Sequence, residues 1–63
     1  MKLLEILKII HDNPYTVKIT RDNWPYHIQF DPMSGYLEIW NGDGALSTYT
    51  LSLFDFDYEW RIL

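Results

Sequence analysis

The chain has no cysteine. Disulfides and thiolate-held metal centres are therefore excluded, and a reducing compartment, the cytoplasm, is expected. Histidine is scarce: His11 and His27 cannot furnish an ordinary His-rich zinc site, and no metal is expected. Basic residues number five against nine acids, a formal charge of −4. That argues against sequence-independent binding to a nucleic-acid backbone, which needs a basic footprint. No apolar run approaches the ~20 residues of a membrane span. The opening MKLLEILKII is broken by Glu5 and Lys8 and is followed by no small-residue cleavage site, so a signal peptide is not expected either. Catalytic motifs are missing as well. There is no Gly-x-Ser-x-Gly and no Ser-His-Asp spacing, and Asn41–Gly44 lacks the Lys-Ser/Thr and helix of a phosphate-cradling loop. A non-catalytic protein without a cofactor is expected.

Large apolar side chains, by contrast, are abundant. Sixty-three residues hold one domain and one core, and a core of that size seldom supplies more than about 3–5 kcal/mol. Three Trp, five Tyr and three Phe are present, each burying a large area with few rotatable bonds. One small core does not easily hide them all, so a homo-oligomer is expected, most simply a two-fold dimer.

The pattern centres on Thr20–Trp40. Tyr26, Ile28 and Phe30 alternate with His27, Gln29 and Asp31, and Leu37 and Ile39 alternate with Tyr36, Glu38 and Trp40, the period of half-buried strands. Asp31-Pro32-Met33-Ser34-Gly35 between them fits a tight turn. Ahead of this hairpin, Leu3, Ile6, Leu7 and Ile10 fall on one face of a helix over Lys2–His11, which Asp12-Asn13-Pro14 ends. Tyr15–Arg21 reads as a first strand with Val17 and Ile19 inward. Asn41-Gly42-Asp43-Gly44 is a turn, Ala45–Leu51 an edge strand, and Ser52-Leu53-Phe54-Asp55 a short helical turn with Ser52 at its N-cap. Leu53, Phe54 and Phe56 are expected to drop onto the core, the acids of Asp55–Glu59 to be solvated, and Trp60–Leu63 to close as a strand with Trp60 and Ile62 on one face. The fold class is α+β: one amphipathic helix on an antiparallel sheet of four to five strands.

If Val17 and Ile19 face the core, Arg21 projects from the end of that face beside Trp24. An arginine there is either a paired structural charge or the anchor of an anionic ligand. His27, on the face opposite Ile28, is either simple surface or a hydrogen-bonding group for a base or phosphate. Lys18 and Tyr26 are the neighbouring basic and aromatic side chains.

The order LLEILKII, VKITRDNWP, YHIQFDPMSGYLEIW and LSLFDFDYEW resembles the small phage proteins of the second Thoeris anti-defence family. It departs at the corner, where Asp22 and Asn23 precede Trp24 in place of the family's frequent glycine. The resemblance implies a non-catalytic homo-oligomeric sponge that sequesters a cyclic ADP-ribose-type immune signal between subunits. Arg21 would face the phosphates, Trp24 would stack on a base or line the pocket, and Tyr26, His27 and Lys18 would complete the ligand-binding set. Asp55 and Trp60 would shape the closing segment. Two other readings compete. An acidic inhibitor could dock directly on a host protein through Asp55, Asp57 and Glu59, mimicking nucleic-acid charge. A plain assembly module would use exposed Trp40 and Tyr49.

Overall fold

A computed structural model describes residues Met1–Leu63. Helix α1 (Leu3–Asp12) is followed by β1 (Lys18–Thr20), β2 (His27–Asp31), β3 (Tyr36–Asn41) and β4 (Gly44–Thr48), then by a single 3-10 turn (Leu53–Phe56) and β5 (Arg61–Ile62). All pairings are antiparallel, in the order β4-β3-β2-β1-β5. The architecture is α+β, a helix against a five-stranded sheet. No helix is long and apolar enough to cross a membrane.

The helix forms because its apolar residues recur every three or four positions, and Leu3, Ile6 and Ile10 are buried as that spacing requires. They meet Val17, Ile19, Ile28 and Trp60, with Leu7, Ile9, Trp24, Phe30, Leu37, Tyr49 and Leu51 packed around the rim. Ile19 and Ile28 stand opposite each other across β1 and β2, and neither exposes any surface. This row continues to Ile39 on β3 and Ile62 on β5. Partners directly across a ladder share a face, so one face of the sheet is given to the core.

Two turns set the register of the central strands. At Asp31–Gly35 the Gly35 N–H donates to the Asp31 carbonyl at 2.8 Å, and Gly35 takes a φ of +79° that a side chain would resist. At Asn41–Gly44 the Asn41 Oδ1 accepts from the N–H groups of Asp43 (2.8 Å) and Gly44 (3.2 Å), the local closure that favours asparagine in turns.

Several boundaries and faces differ from the sequence reading. β1 begins at Lys18, not Tyr15, because Asn13–Thr16 turns back on itself after the helix, with Thr16 N–H reaching Asn13 O. β4 stops at Thr48, and β5 covers only Arg61–Ile62. Leu53, Phe54 and Phe56 do not drop onto the core; they are 86%, 72% and 38% exposed. A 3-10 turn has three residues per turn, so one position of the four faces inward, and Asp55 takes it. Asp55 is therefore buried and not solvated. Trp40 and Tyr49 are half-buried rather than exposed.

Candidate functional site

One helix covers one face of the sheet, which leaves the other face open. The register identifies what stands there. Thr20 pairs with Arg61 and His27 with Trp40, while the β1–β2 register that joins Lys18 to Gln29 carries Thr20 on to His27. One row therefore runs Arg61, Thr20, His27, Trp40 across four strands. A second row lies beside it, with Lys18 next to Gln29 and Gln29 next to Glu38. The Leu63 N–H donates to the Lys18 carbonyl at 2.9 Å, carrying this row to the chain end.

These residues line a groove of about 710 Å³ with Trp24, Pro25, Tyr26 and the Asn41–Gly44 turn. Its volume lies within the range of small-molecule sites. At one end Lys18 and Arg61 bring two positive charges to neighbouring strands, and Arg61 makes a long exposed contact to Asp22 (Nε–Oδ1, 3.4 Å). Further along, the His27 and Trp40 rings lie stacked, 6.1 Å between centroids and 17° between planes. His27 Nε2 is 3.3 Å from Gln29 Oε1. The Trp40 indole Nε1 is buried and has no hydrogen-bond partner, a rare state for a polar atom. Thr20 contributes little beyond backbone geometry, since its hydroxyl donates inward to the Tyr26 carbonyl at 2.6 Å.

Lys18, Trp24, Tyr26 and His27, expected at a ligand site, thus line one groove. Arg21 is not among its lining residues. Its guanidinium carbon sits 4.2 Å from the centre of the Trp24 ring and 4.1 Å from that of Tyr58, with Trp60 at 5.1 Å. Its Nη1 donates to Asp55 Oδ1 at 3.2 Å. Charge and face are both engaged within the fold, as in a paired structural cation. Trp24 is correspondingly limited as a stacking surface. Arg21 lies over its face, and Tyr26, Tyr49 and Trp60 meet it edge-on.

Asp55 is the hub of this second cluster. Besides Arg21, its carboxylate accepts from the Tyr49 hydroxyl (2.8 Å) and the Ser52 backbone N–H (2.8 Å), and its carbonyl accepts from Trp60 Nε1 (2.8 Å). Burial pushes its pKa up, but the Ser52 amide, Tyr49 and Arg21 outweigh that and leave it below the ordinary carboxylate value. Tyr49 moves the other way, pushed up to about 12 by burial first and then by its bond to Asp55. Glu59, next along the acidic run, is lowered by its contacts with Lys2, whose Nζ lies 3.0 Å from Oε1.

Arg61 and Trp40 also belong to the groove; the sequence offered Trp40 only as an exposed assembly residue and did not single out Arg61. The signal for Trp40 lay in the hairpin: a turn at Asp31–Gly35 sets His27 opposite position 40. Arg61 carried a weaker one, because the placement of Trp60 and Ile62 on the core face puts it on the other. No cluster of acids and histidines suited to a metal ion is present. No family model matches the chain, and neither a curated protein nor a solved structure matches it.

Proposed function

We propose that this protein binds and sequesters a nucleotide-derived signalling molecule of the cyclic ADP-ribose type without transforming it, acting in the cytoplasm of a phage-infected host. The observation that carries this reading is the groove on the uncovered sheet face, with Lys18 and Arg61 at one end and the stacked rings of His27 and Trp40 at the other. A phosphorylated, planar ligand calls for that combination of fixed charge and flat apolar surface. A further support comes from the corner. Asn23 has a φ of +60°, and it stands where the resembled family often carries glycine; both residue types answer one left-handed backbone requirement.

The ligand set of this proposal is Lys18, Trp24, Tyr26, His27, Trp40 and Arg61. Arg21 leaves the ligand set because its charge is already spent on Asp55. The groove is open on one side, and a second copy of the chain would close it. Leu4, Met33, Leu53 and Phe54, each at least 72% exposed, lie outside the groove lining and are apolar surface open to further contact between copies. The alternative of an acidic inhibitor docking on a host protein draws less support, since Asp55 is buried and Glu59 is held by Lys2.

Calorimetric titration with cyclic ADP-ribose and ADP-ribose, followed by mass spectrometry of the ligand released on heating, tests the reading. Expected are saturable binding, release of the ligand at unchanged mass, and loss of binding when Lys18 and Arg61 are both replaced by alanine. Absence of binding by the native protein, or release of a cleaved ligand, would defeat it.

A further inference from the structure

The groove is not uniform along its length, and its gradient carries information about how a ligand lies in it. Both unambiguous positive charges are at the β1–β5 end: Arg61 stands across from Thr20, and Lys18 is one diagonal step from it on the same face. The aromatic pair is at the β2–β3 end, where His27 and Trp40 are opposite each other. Strands are spaced by about 4.8 Å, which separates the backbones under Arg61 and Trp40 by roughly 14 Å. Long basic side chains shorten that span considerably. Beyond the rings, the Asn41 side-chain carbonyl is occupied by the turn, so the amide end of Asn41 is what remains for a polar ring edge. No lysine or arginine lines that end.

Trp40 adds an independent observation. Its indole N–H is the molecule's one buried side-chain polar atom without a partner, and an unpaired buried donor costs stability. A phenylalanine would remove that penalty, although it is smaller than the indole it replaces. A partnerless N–H is thus tolerated at position 40, where the indole offers a broad flat surface to a ring.

We infer that the groove binds a nucleoside phosphate in one orientation, the phosphate between Lys18 and Arg61 and the base against the His27–Trp40 pair. This rests on the reading of the groove as a nucleotide site and adds the polarity of the ligand within it. It makes Lys18 and Arg61 sensors of the phosphate alone, and Trp40 a sensor of the base alone.

Adenosine and AMP, titrated in parallel, separate the two ends. For the native protein AMP binds at least about tenfold more tightly than adenosine, a margin that shrinks with added salt. In the Lys18→Ala, Arg61→Ala double variant that ratio falls to about one. Trp40→Leu weakens both compounds by a common factor of about ten, the scale of a lost base–aromatic stack, and leaves the ratio intact. Trp40→Phe provides a control on folding: the lost N–H penalty offsets part of the lost indole packing, so it keeps a cooperative urea transition yet binds both compounds more weakly. A ratio that survives the double variant, or Trp40 variants with native affinity, would overturn the orientation alone. Failure of the native protein to bind adenosine, AMP or cyclic ADP-ribose would overturn the nucleotide reading and the orientation together.

Discussion

Replacing Asp55 by alanine removes the acceptor that three donors share, those of Arg21, Tyr49 and the Ser52 amide. The main loss is the ion pair. Deleting one member of a buried pair costs about 3–5 kcal/mol because the other charge is left without compensation. The Arg21 side chain retains 20% of its exposure, so water reaches it in part and the low end, about 3 kcal/mol, applies. A core of this size supplies about 3–5 kcal/mol in all, which brings the variant to the edge of unfolding. For a urea m-value of about 1 kcal/mol/M, suited to a very small domain, the midpoint falls by about 3 M. Tryptophan fluorescence follows the transition directly, since Trp24 and Trp60 both touch Arg21. Asp55→Asn keeps one oxygen for Arg21 and Tyr49 but loses the charge and the second oxygen, which accepts from the Ser52 amide, so it recovers only part of the loss. Replacing Arg21 and Asp55 together by leucine should restore part of the stability that either loss alone removes. A cost below about 1 kcal/mol for Asp55→Ala is the size of an exposed surface pair, and would refute the assignment of Arg21 to the fold.

Three other outcomes follow from the same contacts. In an ultraviolet titration one of the five tyrosines ionises late, with a pKa of about 12, and Tyr49→Phe removes that late step; a titration unaltered by the substitution would count against the Tyr49–Asp55 bond. Because the native pKa of Asp55 is depressed, its contribution to stability is fully present above the unfolded carboxylate value of about 3.9 and is lost as pH falls through the lower native value. Acid unfolding of Asp55→Asn therefore lacks this component, and the difference between the two denaturation curves narrows as pH drops. Gly35→Ala forces a side chain into left-handed backbone (φ +79°) and costs about 1–2 kcal/mol by urea unfolding; an unchanged midpoint would show that the turn relaxes.

Much of the fold was legible because two periods are written plainly along the chain. Leu3, Ile6 and Ile10 repeat at helical spacing, and Ile28 and Phe30 alternate with polar neighbours, so the helix and central hairpin need only local rules. The closing segment needed more. Leu53, Phe54 and Phe56 look like core residues by composition, but the acid turns inward in their place, where Arg21, 34 positions away, joins Tyr49 and the Ser52 amide on its carboxylate. The same pairing decides between the two roles open to Arg21, and local sequence carries no trace of it. Lys18, Trp24, Tyr26 and His27 could be listed from proximity in sequence, whereas Arg61 enters the groove through the β1–β5 ladder alone.

The central claim is that the uncovered sheet face, not the Arg21 cluster, receives the ligand, and a nitrogen–proton correlation NMR titration with ADP-ribose tests it most directly. Backbone signals of Lys18, His27, Gln29, Trp40 and Arg61 should move together and saturate, while the Arg21 side-chain Nε–H and the Trp60 indole N–H stay in place. Shifts centred on Arg21 and Trp60 with the sheet face unmoved would contradict it.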